Sequence, residues 1–294
     1  MTAVAGLRGA GPEAAEQPQL DMGDVMAKAS TENFTVASRL LPAPVREHFL
    51  AVYGFARFVD DVGDLAPGDR ERQLDWVEVE LDRALDGHAE HPVFTRLGRS
   101  AAALGLERSP FANLIAANRQ DQRVDRYASY EDLAAYCALS ANPVGRLVLA
   151  VLGRSDELAA GLSDKICTGL QLVEHWQDVG EDYRAGRIYL PLDDLERFGV
   201  EERDLGRPSV TPALKRLLAF EVGRARQLLH EGLPLVRLLS GSGRIAIAGF
   251  VGGGLAQLDA IERSGYDVLS ASVKASKVAV ASRSLHVLAG KASW

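Results

Sequence analysis

The 294-residue sequence predicts an all-α, single-domain helical bundle around a central cavity. Three observations lead there. Long stretches carry apolar residues at helical spacing, no series of short alternating apolar runs is present, and the turn signals between stretches mark no linker.

In residues 44–59, Val45, Phe49, Val52, Tyr53, Ala56 and Val59 follow the i, i+3, i+4, i+7 rule, and Pro44 suits a first helical turn. Residues 69–86 set Leu74, Val77, Leu81 and Leu85 among charges, as in an amphipathic surface helix. Residues 111–120, 130–152, 158–183, 212–239 and 245–263 read as helices in the same way. Turns are expected at Ala66-Pro67-Gly68-Asp69, Ser109-Pro110, Gly153-Arg154-Ser155 and Gly206-Arg207-Pro208. One domain over 29–278 is the economical reading, after a disordered tail at 1–28 and before a basic tail at 279–294.

A hydrophobic fraction of 47% is ample for a sizeable core. Cys137 and Cys167 form no CxxC and no zinc spacing, which fits a reducing cytoplasm. Neither a secretory signal nor a run of eighteen apolar residues is visible. A net charge of −7 argues against a nucleic-acid partner. Beyond Asp267 there is no acid, while Lys274, Lys277, Arg283 and Lys291 follow. That end reads either as solvated or as a peripheral contact with anionic lipid or a phosphate.

Two acidic clusters nearly repeat one another, Asp60-Asp61-Val62-Gly63-Asp64 and Asp178-Val179-Gly180-Glu181-Asp182. In each, two aspartates four apart share a helix face, although like charges there repel by a few tenths of a kcal/mol. The interior glycine costs roughly 1 kcal/mol more relative to alanine. A compensating cation is expected, and Mg²⁺, which takes oxygen ligands and bridges carboxylates to substrate phosphates, fits a diphosphate between two facing helices. Glu174, one turn before Asp178, extends the second carboxylate face.

Arg57 and Arg187 stand beside the clusters and offer donor forks for phosphate, or else simply pair with neighbouring acids. Tyr53 and Tyr189 lie seven residues outside Asp60 and Asp182, and read either as cavity phenols or as core residues. His88 and His91 read as surface, and His175 as pointing away from the acid face. Gly252-Gly253-Gly254 reads as close helix packing. No glycine fingerprint follows a strand, so no NADPH is expected.

Three groups of residues resemble the squalene/phytoene synthase family of all-α class I isoprenoid synthases. They are Tyr53-x3-Arg57-x2-Asp60-x3-Asp64, Gln171-x2-Glu174-x3-Asp178-x3-Asp182 and Gly186-Arg187-Ile188-Tyr189-Leu190-Pro191, and the similarity runs over about 32–267. The segments Glu32-Asn33-Phe34-Thr35-Val36-Ala37-Ser38, Arg119-Gln120-Asp121, Ser140-Ala141-Asn142-Pro143-Val144-Gly145-Arg146 and Trp176-Gln177-Asp178 look like its hopanoid-pathway branch.

The resemblance implies a pocket whose acidic mouth binds a prenyl diphosphate and, typically, three Mg²⁺. Asp60, Asp64, Asp178 and Asp182 would hold the metals, with Glu174 standing where the family commonly has Asn. Asn33, Arg57, Asn142, Gln171, Arg187 and Lys274 would lie on the substrate side. Tyr53, Tyr136 and Tyr189 would act at the reacting carbons. The implied reaction ionises presqualene diphosphate and captures the rearranged cation with water, giving hydroxysqualene for a separate reductase. Glu32 and Gln177 stand where condensing members tend to carry basic residues, which favours a substrate with one diphosphate. The alternatives are a synthase condensing two prenyl diphosphates, to presqualene diphosphate or phytoene, and a non-catalytic helical assembly protein. The four aspartates speak against the latter.

Overall fold

The computed structural model describes residues 16–18 and 41–291. Among these residues there is no strand, only helices, one 3₁₀ turn and an isolated bridge between Arg126 and Ile188. The first half comprises α1 (Ala43–Asp64), α2 (Arg70–Leu85), α3 (Pro92–Leu104), α4 (Arg108–Asp121), α5 (Tyr130–Ser140) and α6 (Asn142–Val151). The second comprises α7 (Glu157–Arg184), α8 (Leu192–Phe198), α9 (Pro212–Gly232), α10 (Pro234–Leu238), α11 (Gly241–Arg263) and α12 (Lys277–Leu288), with the 3₁₀ turn Glu202–Gly206 after α8. Residues 1–15, most of the expected tail, lie outside the described residues, as do Glu32 and Asn33.

α1 starts on Pro42-Ala43-Pro44 and continues past Val59 to Asp64, so the whole first cluster is helical. Phe55 of α1 meets Phe94 of α3 at 5.6 Å and Phe111 of α4 at 5.1 Å, both edge to face. Such pairs contribute about 0.5–1.5 kcal/mol each beyond burial and hold α1 in the first half of the bundle.

α7 is the long axis of the second half. Asp156 caps it by accepting from the Ala159 amide at 3.0 Å. Trp176, fully buried at its middle, donates through Nε1 to the Glu221 carbonyl of α9 at 3.1 Å. That bond fixes the rotation of α7 and therefore the direction of its acidic face.

Two of the expected helices are split by proline, which removes a donor and clashes with the carbonyl four residues back. The stretch 130–152 breaks at Ala141, ahead of Pro143, and 212–239 breaks at Leu233, ahead of Pro234. α3, α8 and α12 are additional. α12 runs through the boundary expected at 278/279 and packs on α11, where Gly252 lies against Ser284 and Arg283 bonds Asp259 at 2.6 Å. His91 is only partly exposed, with its ring 4.9 Å from that of Phe58, because it opens α3 beside the aromatic core. By length and composition Tyr130–Val151 and Gly241–Arg263 could each cross a membrane, but both contribute heavily to the bundle interior.

Candidate active site

The last turn of α1 forms one wall. Asp61 is buried and pairs with Arg57 at 2.8 Å, so one hand of that guanidinium is taken inside the wall. Asp60 keeps accessible surface yet is enclosed by protein, as expected of a side chain lining a recess. It accepts from Asn118 Nδ2 of α4 at 3.1 Å. Desolvation, reinforced by Asp64, pushes its carboxyl up to about 6 despite that bond.

Both cluster glycines are crossing points. A Cβ on Gly63 would collide with Asn118 Oδ1, and one on Gly180 would crowd Leu269 of the α11–α12 connection. Substituting Gly63→Ala should therefore destabilise the protein by about 1–3 kcal/mol, as overpacking does. Helix propensity alone would change stability by roughly 1 kcal/mol in the opposite direction. Urea unfolding checks the sign, and adding Asn118→Ala should recover most of the loss.

α7 supplies the facing wall. Gln171, Glu174, Asp178 and Asp182 recur along one side, and Glu174 is exposed. Asp178 accepts from Gln177 Nε2 at 3.0 Å. Burial lifts its carboxyl above the usual range, while Lys274 on the connection to α12 acts in the opposite sense. Asp182 is pushed up to about 7, first by burial and then by the charge of Asp178. The two walls meet where Arg187 Nη2 contacts Asp64 Oδ1 at 3.1 Å, and Asp182 senses the charge of Asp64. The clusters thus share one mouth.

Arg187 and Tyr189 are placed by backbone pairing. Ile188 donates to the Asp125 carbonyl and Leu192 to the Tyr127 carbonyl, both at 2.9 Å. Tyr189 stacks on His175 at 3.8 Å and 15°, and lies 5.8 Å from Tyr127 and 6.0 Å from Tyr136. The Tyr136 hydroxyl donates to Asp121 Oδ2 of α4 at 2.8 Å, and burial pushes Asp121 up to about 6. Desolvation holds the phenols of Tyr127, Tyr136 and Tyr189 above their ordinary value, so they stay protonated. It also drives His175 down to about 3, leaving a neutral imidazole.

His175 thus faces the aromatic floor rather than standing among the acids, and its Nε2 is 3.4 Å from Gln171 Nε2. Tyr53 is buried in α1. Asn142 opens α6 with Oδ1 accepting from Thr168 of α7 at 3.0 Å, which ties the helix break to the second wall. Asn118, Asp121, Tyr127 and His175 are site residues that the sequence pattern does not single out. Arg119-Gln120-Asp121 is visible in it, but only as a branch marker.

The donors fit a hard cation: carboxylate oxygens in a recess, several with proton affinity raised first by burial and then by neighbouring acids. Among the described residues no three His, Cys, Asp or Glu side chains converge as a cage that could hold a metal unaided. Mg²⁺ is normally held by one or two carboxylates together with substrate phosphates, so such an open arrangement suits it. Raised folded-state carboxyl values stabilise the fold below the unfolded value near 4, and that contribution fades as pH rises through about 6 for Asp60 and about 7 for Asp182. Metal-free protein should melt lower at pH 8 than at pH 5. Millimolar Mg²⁺ should raise the melting temperature more at pH 8, because the ligands must ionise. Equal Mg²⁺ effects at both pH values would remove these carboxylates as ligands.

The sequence profile of squalene/phytoene synthases matches residues 27–279. A hydroxysqualene synthase of Rhodopseudomonas palustris is 37% identical over 206 residues, covering 69% of this chain and 70% of that protein. A phytoene synthase of Arthrospira platensis is 33% identical over 220 residues, covering 69% and 71%. Among solved structures, the squalene synthase HpnC of Alicyclobacillus acidocaldarius aligns with a TM-score of 0.78 at 43% identity, over 83% of this chain and 94% of that one. A dehydrosqualene synthase in complex with a ligand aligns with a TM-score of 0.81 at 25% identity, over 92% and 95%.

Proposed function

The chain belongs to the squalene/phytoene synthase family, whose members act on prenyl diphosphates, and from that premise we propose that it is a hydroxysqualene synthase. It converts presqualene diphosphate and water into hydroxysqualene and diphosphate, in hopanoid or squalene biosynthesis. The observation that carries the reading is the joined mouth, where Asp64 meets Arg187 above a floor of neutral aromatic side chains. The similarity to hydroxysqualene synthases at 37% and 36% identity supports it.

In this reading Asp60, Asp64, Asp178 and Asp182 hold Mg²⁺, with Glu174 beside them, and the metal supplies neutralisation of the departing diphosphate. Arg57, Arg187 and Lys274 add positive charge on the leaving-group side. Asn142 and Gln171 complete the substrate side, and Asn33, outside the described residues, is assigned to substrate by the family resemblance alone. The faces of Tyr136 and Tyr189 stabilise the carbocation, and their protonated hydroxyls orient neighbouring polar groups. Tyr53, buried in α1, is assigned to the reacting carbons by the family resemblance. The apolar helices behind them keep bulk water from the cation.

Condensation of two farnesyl diphosphates is the neighbouring reaction. Gln177 disfavours it, because its amide is bonded to Asp178 and offers no cation for a second diphosphate. Supplied with Mg²⁺ and farnesyl diphosphate alone, the protein should form no presqualene diphosphate within the time in which it exhausts presqualene diphosphate. Rapid formation would reverse the assignment. The product is oily, and a cytoplasmic enzyme touching anionic lipid through its basic C-terminal end, with Val278 and Leu285 of α12 exposed there, would release it to a separate reductase.

A further inference from the structure

A small, partly open cavity of about 10 Å³ lies between α7 and the segment 187–190. Its polar walls are His175, Asp182, Arg187 and Tyr189, and its apolar walls include Val179 and Leu205. Space of roughly 10–15 Å³ open to the centre of a water molecule holds one water when two to four polar groups border it. The cavity is of the size that takes one water, and four polar side chains are among its lining residues.

Its position is specific. His175, Val179 and Asp182 share one face of α7 at i, i+4 and i+7. Asp182 and Arg187 belong to the mouth, whereas His175 and Tyr189, stacked at 3.8 Å, belong to the floor. The cavity therefore lies where the mouth and the floor adjoin. Nε2 of His175 lies 3.4 Å from Gln171 Nε2, which leaves the second ring nitrogen to orient a water.

We propose that this cavity holds the single water that captures the carbocation, with His175 as its positioning residue; the inference rests on the hydroxysqualene synthase reading. A cation in a broadly wet recess is quenched at the first carbon that water reaches. One water held in place confines capture to one position. In the step, a lone pair of the water oxygen forms the new C–O bond to the cationic carbon. One O–H bond then breaks, and its proton passes to the diphosphate already released by ionisation. The sum is presqualene diphosphate plus water giving hydroxysqualene plus protonated diphosphate, with no oxidant or reductant.

The test compares wild type, His175→Leu, His175→Gln and Val179→Leu, each with Mg²⁺ and presqualene diphosphate in ¹⁸O-labelled water. Total diphosphate release and labelled hydroxysqualene are both measured. Wild type should give nearly one labelled alcohol per diphosphate. His175→Leu removes the positioning group and Val179→Leu fills the cavity. Each should lower that ratio about tenfold, with alkenes from proton loss or alcohols at other carbons appearing instead. His175→Gln should restore part of it, an effect that a purely structural role for His175 would not produce. If wild type yields no hydroxysqualene, the functional reading fails and this inference with it. If wild type yields it and the ratio is unchanged in the variants, the water site is overturned while the functional reading stands. Should His175→Leu not fold by its melting curve, Val179→Leu decides.

Discussion

Asp60→Asn and Asp178→Asn should each abolish turnover while leaving the fold intact. Neutralising a ligand of the leaving-group cation removes several kcal/mol of transition-state stabilisation, which at about 1.4 kcal/mol per decade is roughly a thousandfold or more in rate. The structure separates this from unfolding. In Asp60→Asn the new amide oxygen can still accept from Asn118, so the 3.1 Å bond survives. The substitution also removes a carboxylate that burial has already pushed up to about 6. Metal-free Asp60→Asn protein should thus melt at or above wild type at pH 8, where the native carboxylate is ionised. Full activity in both variants would dismiss the acid walls as the diphosphate site.

Arg187→Ala should cost about 10²–10³-fold in kcat, the usual effect of removing one preorganised electrostatic donor. Arg187→Lys should recover little, because a point charge does not replace the planar fork. The same side chain is the cation facing Asp64, Asp121 and Asp182. Without it those acids repel one another, so Arg187→Ala should lower the melting temperature at pH 8 more than at pH 5. Arg108, on the outer face with Glu78 and Asp82, is the control, and its alanine variant should keep wild-type turnover.

Helical periodicity makes α1, α2, α4, α7, α9 and α11 legible, because each buries one continuous stripe. It stops short at Val59, since the acids that follow look unlike core, although α1 carries them to Asp64. α12 is obscured for the opposite reason. Its stretch lacks acids and leaves Val278 and Leu285 exposed, so it resembles a loose end, yet Val287 and the Arg283–Asp259 bond fasten it to α11.

The carboxylate pairs are legible because their spacing is local. Asn118 and Asp121 are not, since their bonds to Asp60 and Tyr136 span 58 and 15 residues and leave no periodic trace. His175 is hidden because periodicity marks the acid face as the functional side of α7. The segment 187–190 lies along the adjoining side and brings it into the candidate site as well.

The central claim is tested most directly by incubating purified protein with Mg²⁺ and presqualene diphosphate and identifying the product by mass spectrometry. The account predicts hydroxysqualene together with one equivalent of diphosphate, and no product when EDTA replaces Mg²⁺. Untouched presqualene diphosphate, from protein that turns over farnesyl diphosphate instead, would contradict it.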